Sequence, residues 1–240
     1  MSRSFPRVLG ILLTIAAGTA GAVGGDKEEV GKLLDKRFEK DKVALDYVLY
    51  LPPGYGTDAK AWPLVLFLHG RGDKLERLKR AGLPAHIAQK QDPFILVAPQ
   101  AEPRWNAAAL NDLLESVVAK HKVDPDRIYV TGLSMGGFGT WSLAMAYPDK
   151  FAAIIPICGG GNPANAAKIK DLPIWVFHGA KDKTVPPARS EAMVKALKEA
   201  GAEHVKFTLY PDAAHNSWTP TYKNAQVWDW LLKQKRAAKK

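Results

Sequence analysis

The chain has 240 residues, 47% of them apolar, which suffices for one domain with a substantial core and leaves little room for two. Its 34 lysines and arginines against 24 acidic residues give a formal net charge of +10. No aromatic-interleaved basic stretch or recognisable binding module accompanies that excess, so a nucleic-acid partner is not expected. The single cysteine, Cys158, rules out an intrachain disulfide and leaves apolar burial to hold the fold.

Arg3 and Arg7 precede an apolar run from Val8 to Ala17, and small residues follow through Ala20-Gly21-Ala22. A basic start, a short apolar stretch and a small-residue cleavage pattern describe a signal peptide cut near Ala22. The expected organisation is therefore a signal peptide over 1–22 and one domain over 23–240, exported to the periplasm or beyond. The apolar run falls short of the roughly 20 residues of a spanning helix, so no stable membrane insertion is expected after cleavage. Loss of Arg3 and Arg7 leaves 32 basic residues against 24 acidic ones. Much of the excess lies in the tail Lys233–Lys240, which reads as a solvated terminus.

Asp26 to Lys40 is charged and weakly patterned and reads as a lead-in. Val43 to Leu51 alternates as a strand does, and Pro52-Pro53-Gly54 stops it. Pro63 to Leu68 is an unbroken apolar run suited to a strand buried on both faces, and it ends in His69-Gly70-Arg71-Gly72-Asp73. Lys74 to Gln89 reads as a helix interrupted near Gly82 and Pro84, and Phe94 to Ala98 as another buried strand. Asn106 to His121 carries apolar residues at 110, 113, 114, 117 and 118, the spacing of one helical face. Asp124-Pro125-Asp126 punctuates before a strand over 127–131, and Phe138 to Tyr147 has helical spacing.

Beyond it, the sequence predicts a strand from Phe151 to Ile157, a Gly159–Gly161 loop and a strand over Ile174–Phe177. A helix over Pro187–Gly201, a strand over His204–Tyr210 and a last helix over Thr221–Lys235 complete the chain. Strands alternating with helices imply an α/β fold with a mostly parallel sheet covered on both faces.

Between strand and helix stands Gly132-Leu-Ser134-Met-Gly136, the pattern of a nucleophile elbow, in which a serine occupies a strained turn between glycines. A serine hydroxyl needs a base, and the base needs an anion to fix its tautomer. Of six histidines, His215 follows the last strand on a loop long enough to fold back over the elbow. His69 more naturally shapes its Gly-rich turn and His178 the rim of the sheet, while His86, His121 and His204 read as surface or capping residues. Asp182 lies in the loop after the preceding strand. Asp212 is its rival, but only three residues from His215 it suits a local loop hydrogen bond better. An oxyanion hole requires two backbone donors; the amide of Met135 is one candidate and that of Arg71 the other, with Gly70 as the alternative to Arg71.

These stretches, His69-Gly-Arg-Gly-Asp73, Asp126 to Gly137, Phe177-His-Gly-Ala-Lys-Asp182 and His215-Asn-Ser-Trp218, together resemble an α/β-hydrolase. The likeness spans nearly the whole chain after the signal peptide. It is closest to small secreted feruloyl esterase and polyhydroxybutyrate depolymerase-like esterases, and to the catalytic domains of prolyl oligopeptidases. It implies a serine esterase with catalytic Ser134, Asp182 and His215, and an oxyanion hole from Met135 and Arg71.

Only about fifteen residues separate Cys158 from Ile174, too few for a large lid. An open cleft follows, walled by the substrate-binding candidates Trp105 and Trp218 and suited to an ester substrate, soluble or polymer-attached. No metal-ligand spacing, dinucleotide turn or phosphate loop is present, so no cofactor and no metal is expected. Two alternatives stand beside the esterase: a prolyl oligopeptidase-like serine peptidase, and a non-catalytic polymer-binding protein on the same fold.

Overall fold

The computed structural model describes Met1 and residues 29–72, 74–80, 82–101 and 104–236. The expected signal peptide lies outside these residues apart from Met1, as does the end of the basic tail. Among the described residues eight strands form one sheet: β1 (Leu33–Lys40), β2 (Val43–Tyr50), β3 (Trp62–Leu68), β4 (Ile95–Pro99), β5 (Val123–Leu133), β6 (Ala153–Ile157), β7 (Ile174–Gly179) and β8 (Val205–Tyr210). Their order is β1-β2-β4-β3-β5-β6-β7-β8; β1, β2 and β4 pair antiparallel and the other neighbours pair parallel. The helices are α1 (Leu75–Leu78), α2 (Gly82–Lys90), α3 (Ala107–Lys120), α4 (Met135–Ala146), α5 (Ala188–Glu199), α6 (Trp218–Lys223) and α7 (Ala225–Lys233).

The central strands read as unbroken apolar runs because both their faces are covered. Leu64, Leu66, Leu68, Val97 and Val130 turn to one face and pack with Leu110, Leu113 and Val117 of α3 and Met193 and Leu197 of α5. Val65, Phe67, Leu96, Ala98 and Tyr129 turn to the other and meet Leu83 and Ile87 of α2 and Trp228 and Leu231 of α7. The two-residue side-chain period of a strand sorts neighbours into the two cores. Each fully buried side chain of this size stabilises the fold by about 1.5–3 kcal/mol. The expected α/β architecture, without a large lid, is present: β6 and β7 are joined through a short 3-10 helix, Pro163–Ile169.

Three local expectations need correction. Leu33–Lys40 is no lead-in but the edge strand β1, paired residue for residue with β2 through the two-residue turn Asp41-Lys42. Of its side chains only Phe38 is buried, so its apolar pattern is weak and the pairing makes the strand. The last helix is two, because Asn224 ends α6 and its side chain then caps α7 by accepting the Gln226 amide at 3.0 Å. Asp124-Pro125-Asp126 lies within β5 rather than before it. Trp62 pairs with Val123 and Leu64 with Ile128, so the intervening residues loop out, held by Arg127 Nε donating to Asp124 Oδ2 at 2.6 Å.

Candidate active site

Parallel strands deliver the loops after β3, β5, β7 and β8 to one edge of the sheet, where side chains far apart in sequence meet. Ser134 occupies the turn between β5 and α4 with φ 54° and ψ −118°, a conformation costly for a residue with a side chain. The flanking glycines permit it: a Cβ on Gly132 would overlap the Gly136 carbonyl, and one on Gly136 the Leu68 carbonyl of β3. The strained turn is pinned from below, the Ser134 amide donating to Ile157 O at 3.0 Å and to Cys158 Sγ at 3.3 Å.

His215 Nε2 lies 2.9 Å from Ser134 Oγ, and its Nδ1 lies 2.7 Å from Asp182 Oδ2. An ionised carboxylate only accepts, so Nδ1 carries the proton and Nε2 is left to accept the serine hydroxyl. Asp182 is anchored by the amides of Thr184 and Val185, which donate to its Oδ1 at 2.9 and 3.0 Å. Burial pushes its carboxyl up, but the hydrogen bond from His215, those two amides and the charge of His215 outweigh burial and hold it below the usual aspartate value. The two loops are stitched together: the Lys181 amide donates to Ala213 O and the Ala180 amide to Tyr210 O, both at 2.9 Å. Asp212 points elsewhere, its carboxylate 90% exposed and paired with Lys181 at 2.7 Å.

Met135 opens α4, so its amide has no acceptor within the helix, and the helix dipole adds partial positive charge beside Ser134. Arg71, on the loop after β3, borders the same 390 Å³ hollow as Ser134, Met135, Arg104, Trp105 and Phe138. Trp105 is fixed in that wall by its indole N–H, which donates to His69 O at 3.3 Å, and by packing on Gly139, where any side chain would strike its ring. Trp218 stands on the other side. Its ring meets His215 edge-on at 5.5 Å and lines a separate 290 Å³ hollow between α2 and α6. A further hollow of 450 Å³ along α4 and the 3-10 helix borders none of Ser134, Asp182 and His215.

The other histidines occupy supporting places. His69 donates through Nδ1 to Gly70 O and accepts the Ala101 amide at Nε2, tying the loops after β3 and β4 together. His121 ends α3, and His86 lies 3.4 Å from Asp92 and stacks on Trp228. His178 was legible as a rim residue, but not its proximity to Asp182. Its Nε2 donates to Val185 O at 2.8 Å and lies 3.2 Å from Asp182 Oδ2, while Nδ1 meets Ser190 Oγ at 2.8 Å. The one sequence signal for this is a histidine ending the strand that leads into the acid's loop. Nor did the sequence place Cys158, the floor of the serine turn; among the described residues, Cys158, Asp182 and His215 form the one cluster with metal-ligating atoms mutually within 4.8 Å. Two of its three members are already joined by the His215–Asp182 hydrogen bond. Among the described residues no helix is long and apolar enough to cross a membrane.

Sheet order, strained serine turn and loop placement define an α/β-hydrolase fold. Residues 72–235 match the model of the dienelactone hydrolase family, and the chain belongs to that family. A crystal structure of a thermostable esterase superposes with a TM-score of 0.77 at 34% identity, over 86% of this chain and 64% of that one. Poly(3-hydroxyalkanoate) depolymerase C of Paucimonas lemoignei is 28% identical over 195 residues, 61% of this chain and 46% of its own length. A bifunctional acetylxylan esterase/xylanase of Neocallimastix patriciarum is 24% identical over 64% of this chain and 24% of its own length. The chain thus spans less than half the length of these two curated relatives.

Proposed function

We propose that the protein is a secreted serine hydrolase that cleaves carboxylic esters through an acyl-enzyme. The observation that carries this reading is His215 bridging Ser134 Oγ at 2.9 Å and Asp182 at 2.7 Å. Ser134 Oγ attacks the ester carbonyl as His215 Nε2 takes its proton. The amides of Met135 and Arg71 receive the developing oxyanion, a contribution of about 3–4 kcal/mol for a single such donor in comparable sites. The intermediate collapses as His215 returns the proton to the leaving alcohol oxygen. Water, deprotonated by the same imidazole, then releases the acid, while Asp182 holds the ring in its Nδ1–H tautomer and stabilises the imidazolium.

The relatives' names, a polyester depolymerase and an acetylxylan esterase among them, support an ester substrate that includes polymer-attached forms. The short β6–β7 connection leaves the hollow beside Ser134 uncapped by an inserted lid, which suits such a substrate. Export rests on the signal-peptide pattern over 1–22.

The test is hydrolysis of p-nitrophenyl acetate and butyrate by purified protein, with fluorophosphonate labelling of Ser134. Turnover and a label lost in Ser134→Ala are expected. Absence of both supports the non-catalytic polymer-binding alternative, and faster cleavage of peptide amides than of esters supports the peptidase. Intact-mass measurement of the exported protein is expected to place its N-terminus near Val23; a cytoplasmic protein retaining residues 1–22 overturns the secretion.

A further inference from the structure

Ser134 and Met135 border a 390 Å³ hollow that His215 does not line. The departing alcohol oxygen must reach His215 Nε2 for its proton, and the carbonyl oxygen must face the Met135 amide, so the substituent left to that hollow is the acyl chain. The hollow continues beyond its own wall. Phe138 and Ser142, one helical turn apart on α4, line it and also line the 450 Å³ hollow against the 3-10 helix Pro163–Ile169. Met145 and Ala146 extend the same face of α4 into that second hollow. From Ser134 to Met145 this stripe carries the path about 16 Å along the helix.

The path has an apolar floor and a far rim that donates hydrogen bonds. Phe138 is 38% exposed, more than any other aromatic ring among the described residues, and it stands where the two hollows join. The loop after β6 supports the ring, since a Cβ on Gly160 would come within 3.2 Å of it. An aromatic ring supported on one side and open to two hollows suits a chain passing over it. Beyond it, Ser142, Asn162, Asn165 and Lys168 surround the second hollow, and among its described lining residues none is acidic. Asn162 Oδ1 already accepts the Ala164 amide at 3.1 Å, so its side chain offers the NH2 group, and Lys168 likewise has only donors to give. Donors beyond an apolar floor call for an acceptor at the far end of an apolar chain.

We infer that the two hollows form one acyl groove, and that its distal half receives the far end of a long acyl chain through an uncharged acceptor, such as the next ester carbonyl of an oligoester. This rests on the esterase reading above. An extended chain advances about 1.2 Å per bond, so a carbonyl about seven bonds beyond the scissile one lies roughly 8 Å along the groove, past Phe138 and toward Ser142. The chemistry at Ser134 is unchanged: the acyl carbon–oxygen bond breaks, the alcohol departs with the proton from His215, and water supplies the hydroxyl of the released acid.

The experiment compares three p-nitrophenyl esters, which share the leaving group: the acetate, the decanoate and the mixed p-nitrophenyl methyl ester of suberic acid. The last two have acyl halves of equal chain length, and only the suberate carries a second ester carbonyl near its end. Each kcat/KM, measured below the concentration at which the long esters aggregate, is divided by the ester's own hydroxide-catalysed rate. Both long esters are expected to exceed the acetate by roughly tenfold or more, because methylenes leave water along the groove. Ala146→Phe fills the distal hollow and is expected to bring both ratios to the acetate near one. Asn165→Ala/Lys168→Ala removes donors and is expected to lower the suberate relative to the decanoate by roughly threefold to tenfold. Long esters no faster than the acetate, or an advantage that survives Ala146→Phe, overturn the groove while leaving the esterase intact. A suberate-to-decanoate ratio unmoved by the double variant overturns the distal acceptor. Hydrolysis of none of the three overturns the esterase reading, and this inference with it.

Discussion

The amide of Ser134 donates to Cys158 Sγ at 3.3 Å, so the chain's only cysteine forms the floor of the turn that presents its candidate nucleophile. Cys158 itself adopts φ 39°, and Ile157 O, its neighbour, accepts the same amide. Two strained residues, each just past the end of one of two adjacent strands, thus support each other through one N–H.

Burial pushes the Cys158 thiol up to about 12, which keeps it a neutral, unreactive thiol at ordinary pH. A thiol reagent such as 5,5′-dithiobis(2-nitrobenzoate) is expected to find no group in the native protein and one in denaturant. Cys158→Ala keeps the Ile157 acceptor and is expected to retain ester hydrolysis within about tenfold, since a neutral hydrogen bond contributes roughly 0.5–1.5 kcal/mol. Rapid labelling of the native protein with loss of activity would show that the thiol is accessible and the site differently built.

Asp182 and Asp212 separate cleanly by substitution. Asp182→Asn removes the acceptor that fixes the His215 tautomer and is expected to lower kcat by roughly 10³–10⁴-fold. Asp212→Asn loses only an exposed pair with Lys181 and is expected to stay near wild type. Because the folded-state value of Asp182 is lowered, its contribution to stability is present above the usual aspartate value of about 4 and is lost as pH falls through the lower folded value. Acid unfolding of Asp182→Asn should accordingly be less steep than that of wild type below about pH 4.

His178 braces the acid's loop from beneath. Its removal leaves the part-buried Val185 O without its imidazole donor and the buried Ser190 Oγ without its ring partner. His178→Ala is expected to cost about 1–3 kcal/mol in denaturant unfolding. Hydrolysis is expected to fall through kcat rather than KM, as the Asp182 carboxylate loosens. An unchanged unfolding midpoint with unchanged kcat would remove His178 from this role.

Four tyrosines, Tyr50, Tyr129, Tyr210 and Tyr222, oppose ionisation in the folded state. Burial pushes Tyr50 and Tyr129 up to about 12 and Tyr222 higher still. A raised folded value means stability that is fully present below the unfolded tyrosine value of about 10 and is lost as pH climbs through the folded one. Spectrophotometric titration of the native protein is expected to show these phenols ionising late and together with unfolding between about pH 10 and 12, whereas Tyr129→Phe should soften that loss.

The architecture was legible wherever local chemistry dictates it. The unbroken apolar runs of β3, β4 and β6 require cover on both faces, and the glycines about Ser134 require a turn that a side chain would block. The edge strand β1 is not legible in the sequence because only Phe38 is buried there, so no alternation marks it. The split of the last helix at Asn224 is not legible either, because a cap competes with helix continuation only through geometry.

By itself the sequence determined the serine turn, the order Ser134, Asp182, His215 along the chain, and the family likeness, since each resides in residue type and short spacing. The tertiary structure alone decided that side chains 81 and 33 residues apart meet at hydrogen-bond distance, because sheet order and the stitched loops after β7 and β8 set those separations. It also decided that Trp105 walls the hollow beside Ser134 while Trp218 faces another across His215. Which side an indole presents depends on what packs behind it, the Gly139 backbone for the one and the His215 edge for the other, and no pattern along the chain encodes that contact.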